Sequence, residues 1–218
     1  MLAVQNLEKS IGNRTVLGPL SFGVESGQVL AIMGANGAGK STLLRIIAQL
    51  SKASAGLVTG QGAGVSMLAH QTYLYNSLTG RENLQFYSSL AGKPLSQQQL
   101  ELVLDQVGLA WEGDEEVGNY SRGMQQRLAL ARLWVQDAQV VLLDEPQTGL
   151  DQAGLQILQS MLESWKQAEK TILLVTHAFD ELFKVVDELL ILDRGSIGYL
   201  GECPGSPEEV KELYNRSH

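Results

Sequence analysis

The chain has 218 residues, 44% of them hydrophobic, and one cysteine, Cys203. Lys and Arg number 16 against 24 Asp and Glu, for a formal net charge of -8. These totals fit one domain with a sizeable core and exclude an internal disulfide. They also make nucleic acid, or an anionic membrane surface bound by charge alone, a poor partner. The opening segment, MLAVQNLEKSIGNR, carries Glu8 and Lys9 and has no apolar run of signal-peptide length, so no signal peptide is read. The apolar runs QVVLLDEP and TILLVTH are too short to cross a bilayer. A soluble chain is expected, reaching any membrane through a partner.

In chain order, LAVQNL and VLGPLSFGVESGQVLAIMG alternate as strands do, and Val29–Met33 is a short apolar run between Gly27 and Gly34, which suits a buried strand. A helix follows at KSTLLRIIAQL, with Leu43, Leu44 and Ile47 on one face. Residues 52–66 are rich in Gly, Ser and Ala and read as loops between short strands. From about 77 to 135 the period is helical. Thr79 with Glu82, and Ser96 with Gln99, have the spacing of capping boxes, and Leu100, Val103, Leu104 and Val107 form one stripe. A further helix starts in NYSRGMQQRLALARL, with Ser121 able to cap it and Gly123 able to admit a ligand to its free N–H groups. Strand character returns at Val140–Leu143. Next come a helix capped by Asp151 with Leu155, Leu158, Leu162 and Trp165 on one side, a strand at Ile172–Thr176, a helix from about Ala178 to Val186, and the strand ELLILD. The tail SPEEVKEL reads as a short helix with Pro207 at its first position. Alternating strands and helices predict an α/β domain with a mostly parallel sheet, into which an α-helical block is inserted.

Residues 34–42, GANGAGKST, match G-x-x-x-x-G-K-[ST] after a predicted strand and before a predicted helix. Gly34, Gly37 and Gly39 allow the backbone to curl so that successive N–H groups, from Asn36 and Ala38 through Thr42, point at phosphates. Lys40 is placed to reach the β- and γ-phosphates, and Ser41 to ligate Mg²⁺. In VVLLDEP, four apolar residues carry Asp144 to the carboxyl end of a buried strand, where it can hold Mg²⁺ through water. Glu145, one residue on, points elsewhere and can orient and deprotonate an attacking water. A P-loop nucleoside triphosphatase is expected, and at this point a kinase, a GTPase and a transport ATPase all fit.

Four further features come in a set order: Gln71 in AHQTYLY, Ser121 with Gly123 in YSRGMQQR, Asp151 in QTGLD, and His177 in LLVTHAFDE. Together with the phosphate loop they resemble the ATP-binding cassette (ABC) ATPases over nearly the whole chain. The resemblance implies a core over about 1–76 and 136–200 with a small antiparallel β part, a helical subdomain over 77–135 and a tail over 201–218. It also implies a head-to-tail dimer, with itself or with another ABC ATPase chain, that sandwiches ATP and Mg²⁺. In that sandwich Gln71 would contact Mg²⁺ and the attacking water, His177 would touch the γ-phosphate, Asp151 would bridge the dimer, and Ser121 and Gly123 would contact the partner's ATP. Two positions depart from the family pattern. The signature most often written Leu-Ser-Gly-Gly-Gln is Tyr120, Ser121, Arg122, Gly123, Met124, and Ile11 stands where an aromatic residue would stack on adenine. The segments AHQTYLYNSLTGRENLQFYSSLAG, YSRGMQQRLALARL and LDEPQTGLDQ look like the haem-export branch; ATPases of generic drug or lipid exporters share parts of them, and a soluble non-transport ABC ATPase is the other alternative. On the haem-export likeness the chain would lie on the cytoplasmic face of a membrane, held by separate permease subunits that contact Tyr73–Tyr87, with no nucleic-acid partner.

Overall fold

The computed structural model describes residues 1–62, 64–69, 71–176 and 179–216. Strands β1 (Leu2–Ile11) and β2 (Arg14–Val24) form a hairpin, and β3 (Val29–Gly34) leads through the glycine-rich loop into helix α1 (Lys40–Ile47). Strand β4 (Ala55–Thr59) joins the hairpin to make a three-stranded antiparallel sheet of order β2-β1-β4. Strand β5 (Val65–Leu68) then enters a second sheet.

Helices α2 (Gly80–Leu90), α3 (Gln97–Gln106) and α4 (Arg122–Gln136) follow as one block. The first two start as the spacing predicts. The Thr79 hydroxyl accepts from Glu82 N at 3.1 Å while the Glu82 carboxylate accepts from Thr79 N at 2.8 Å. Ser96 and Gln99 repeat the exchange at 3.3 and 2.9 Å. Each box satisfies donors that a bare helix start leaves open.

Strand β6 (Val140–Asp144), helix α5 (Gln152–Gln167), strand β7 (Thr171–Val175), the short helix α6 (Phe179–Leu182) and strand β8 (Glu188–Asp193) restore the alternation. Strand β9 (Ser196–Glu202) and helix α7 (Pro207–Arg216) end the chain. The large sheet has the order β5-β6-β7-β3-β8-β9, parallel except for the antiparallel β8–β9 pair. Two sequence expectations change here. Past Leu182 the helix tightens to a 3-10 turn, Phe183–Val185, because Asp187 is already tied to β3, its N–H donating to Val29 O and its carboxylate accepting from Val29 N. And β9, which the alternation does not announce, returns from β8 across the Arg194–Gly195 turn, with φ 45° and 84°.

The parallel strands are buried on both faces, which is why they read as continuous apolar runs. Val29, Ala31, Val141, Leu143, Ile172 and Leu174 face the cluster shared with the helical block. Leu30, Ile32, Val140, Leu142, Leu173 and Val175 face α1 and the antiparallel sheet. Parallel pairing places the carboxyl ends of β3, β5, β6 and β7 along one edge, where the candidate site lies.

Candidate active site

At the end of β3 the chain must turn sharply and begin α1 with its N–H groups exposed. Gly34 has φ 152°, and a Cβ there would run into the carbonyl of Leu192. Gly39, the cap of α1, has φ 104°, and a Cβ there would run into the side chain of Leu17. Both positions therefore need glycine for space and conformation together. Gly37 has φ 82° with open space where a Cβ would sit. The loop is braced from behind: Gly195 N donates to Ala38 O at 3.1 Å, and Gly18 N to Gly195 O at 2.9 Å.

Lys40 is buried, with its ammonium donating to Gly34 O at 2.7 Å and Ala35 O at 3.1 Å. Burial holds its pKa below the ordinary lysine value, while Glu145 and Asp144 pull it upward. Asp144 ends β6 at 3% exposure, and its Oδ1 has no hydrogen-bond partner among the described residues. A buried carboxylate oxygen in that position is costly unless a donor or cation meets it. Glu145 takes φ 54°, with its N–H on Val175 O at 2.9 Å. A left-handed glutamate costs about 1–2 kcal/mol, and here the turn carries the side chain out of the line of β6.

Two cavities meet at Glu145. One, of about 960 Å³, is lined by Ile11, Arg14, residues 35–42, Glu145 and Arg194. The other, of about 440 Å³, is lined by Gln71, Tyr73, Arg122, Gln126, Asp144 and Glu145, among others. So Asn36, Gly37, Ala38, Gly39, Lys40, Ser41, Thr42 and Ile11 come together in the first, and Gln71 and Asp144 in the second. Gly34 shapes the loop from behind. Ser121, Gly123 and Asp151 line neither cavity. His177 lies outside the described residues. Arg14 and Arg194 are additions that the sequence reading did not name. Both sit at hairpin turns, and only the fold brings those turns to the phosphate loop.

Ser121 caps α4, accepting from Met124 N at 3.3 Å, and Asp151 caps α5, accepting from Gly154 N at 2.8 Å. The Arg122 stem lies along Gly149, and a Cβ built on Gly123 would be 3.1 Å from Gly149 O. The amide of Gln126 donates to Pro146 O at 2.8 Å, fixing α4 to the segment after Glu145. Arg132 is also buried, donating to Met67 O at 2.8 Å with its guanidinium 5.2 Å from the Tyr87 ring centre. The donor set fits a nucleoside triphosphate with Mg²⁺: a curl of N–H groups, an ammonium, the Ser41 hydroxyl and an unmatched hard carboxylate oxygen.

A family model described as ABC transporter matches residues 17–148. The chain belongs to the ABC transporter family. Like other ABC ATP-binding chains it is an ATPase. Its relatives include the lantibiotic transport ATP-binding protein SrtF of Streptococcus pyogenes, 32% identical over 99% of this chain and 96% of the relative. The cytochrome c biogenesis ATP-binding export protein CcmA of Photobacterium profundum is 38% identical over 81% of this chain and 92% of its own length. A solved ATP-binding subunit of an ABC transporter superposes with a TM-score of 0.89 at 24% identity, over 100% of this chain and 99% of that one. That likeness speaks to the fold, an ABC-type α/β P-loop architecture. No helix among the described residues is long and apolar enough to cross a membrane.

Proposed function

We propose that this ABC ATPase binds MgATP at residues 34–42, closes as a dimer over it, and drives export through separate membrane subunits. The observation that carries the chemistry is Glu145, turned by its left-handed backbone toward the phosphate-loop cavity beside the unmatched Asp144 Oδ1. The loop N–H groups and the α1 N-terminus hold the phosphates. Lys40 leaves the Gly34 and Ala35 carbonyls for the β- and γ-phosphate oxygens. Ser41, Asp144 and Gln71 would hold Mg²⁺, which when bound neutralises charge on those oxygens. Glu145 orients the attacking water and accepts its proton. Ile11 offers the base an aliphatic contact in place of a stacked ring. His177 is assigned to the γ-phosphate by family likeness alone.

Ser121 and Gly123 stand outside both cavities of their own chain, at the start of a 15-residue helix. Their anion is then the γ-phosphate held by a partner, with Asp151 at the same junction. The dimer forms because ATP adds contacts that exist only in the closed state, and hydrolysis removes them.

For the cargo, haem export is the reading supported by the 38% identity to CcmA and by the segments after β5. Lantibiotic transport is the alternative, favoured by the alignment with SrtF over 99% of this chain. Affinity capture from membranes separates them: a haem-handling permease supports the first, and a peptide-exporting permease replaces it with the second. The catalytic assignment is tested by Glu145→Gln. Turnover should fall about 100-fold or more with ATP binding retained. Unchanged turnover would overturn it.

A further inference from the structure

At position 120, where the family most often has leucine, this chain has tyrosine, and the structure gives its hydroxyl a defined place. Tyr120 is 6% exposed and donates to Glu112 O at 2.5 Å. Burial, with Glu112, Glu115 and Asp114 nearby, pushes its pKa up to about 12, so it remains a neutral donor at physiological pH. The ring end rests on Gly80, the first residue of α2. A Cβ on Gly80 would strike the Tyr120 hydroxyl and lie 3.4 Å from Cζ. Gly80 has no positive φ to justify glycine. Room for the tyrosine does.

The same residues join two segments. Arg81 N donates to Gly113 O at 2.8 Å, Gly80 N to Glu115 O at 3.2 Å, Val117 N to Leu78 O at 2.9 Å and Gly118 N to Asn76 O at 2.9 Å. Thr79 and Glu116 form an antiparallel bridge. From the far side, the Gln125 amide donates to Val117 O at 3.2 Å. The segment 112–118 is thus laced to 76–81, and Tyr120 closes the lacing one residue before the Ser121 cap. With Tyr120 held by Glu112 O and Gly80, the residue before the cap is fixed, and with it the chain's entry into α4.

We infer that Tyr120, seated on Gly80 and bonded to Glu112, is a positioning residue that aims Ser121 and Gly123 at the partner's nucleotide. This rests on the dimeric reading above. The two are tested in one series in the Glu145→Gln chain, comparing MgATP-dependent dimerisation by sedimentation with ATP affinity of the dilute monomer and with melting temperature. If Glu145→Gln alone does not dimerise on ATP, the dimeric reading fails.

Given dimerisation, adding Tyr120→Phe should weaken it about three- to tenfold, the loss of one buried hydrogen bond. Monomer ATP affinity should stay within about twofold, because residues 34–42 are untouched. Gly80→Ala should weaken the dimer at least as much beside Tyr120, and markedly less beside Tyr120→Leu, which removes the colliding hydroxyl. Additive effects of Gly80→Ala and Tyr120→Leu, or a fall in melting temperature with dimer affinity unchanged, would overturn the inference.

Discussion

Three glycines of the phosphate loop look alike in the sequence and differ in the structure. Gly34 cannot accept a Cβ without moving the Leu192 backbone, whereas at Gly37 a Cβ would face open space. Gly34→Ala should therefore lower ATP affinity at least about tenfold, and Gly37→Ala only a few-fold, the cost of about 1 kcal/mol of strain. Equal losses in a nucleotide titration would contradict this ordering. At the start of α4 the same reasoning separates neighbours. The Arg122 stem lies along Gly149, and the cap of α4 is made by Ser121, so Arg122→Gly should keep ATPase activity within several-fold. Ser121→Arg removes the cap and crowds the expected contact, and should nearly abolish steady-state turnover. Severe loss in both would make Arg122 a direct ligand.

Among the elements, those defined by short-range rules were legible in the sequence. The capping boxes of α2 and α3, Pro207 at the start of α7 and the two-faced apolar strands β3, β6 and β7 each depend on residues within a few positions. What escaped depends on partners far away. Strand β9 is an edge strand broken by Gly198 and Gly201, with no fully buried residue, so its alternation is faint. Helix α6 is cut short by the bonds between Asp187 and Val29, which no local pattern announces. Arg132, polar in the sequence, is buried because Met67 O and the Tyr87 ring receive it.

Asp137, the left-handed cap of α4, links elements in the same way, binding Lys93 and Lys170 at 2.6 Å each. Burial works to raise its pKa, but the hydrogen bonds from Lys170 and Lys93 outweigh it and hold the carboxyl below its ordinary value. A depressed pKa means stability that is present above the normal carboxylate range and lost as pH falls through the folded value. Asn tolerates the same backbone. Asp137→Asn should thus cost at least about 1 kcal/mol near neutral pH, because Asp137 and Lys93 are half-exposed but the buried Lys170 loses its carboxylate. The difference should vanish in acid below the carboxylate titration. A difference independent of pH in urea melts would show that the ion pairs contribute nothing.

For the molecule as a whole, the family was legible because its motifs are local words in a fixed order: residues 34–42, Gln71, Ser121–Gly123, Asp144–Glu145 and Asp151. The fold then divides them. The phosphate loop and Glu145 share a cavity, Gln71 and Asp144 share its neighbour, and Ser121, Gly123 and Asp151 are left outside both. On the proposed dimer, a single chain would assemble half of a nucleotide site and present the other half to its partner. Arg14 and Arg194 add cationic groups to the phosphate-loop cavity beyond the motif, beside the carboxylates of Asp193 and Glu145. The most direct measurement is sedimentation of the Glu145→Gln chain at micromolar concentration, with and without MgATP. The expected result is a monomer without nucleotide and a dimer with it, reverting when Ser121→Arg is added. A monomer under both conditions, with ATP bound, would contradict the shared site.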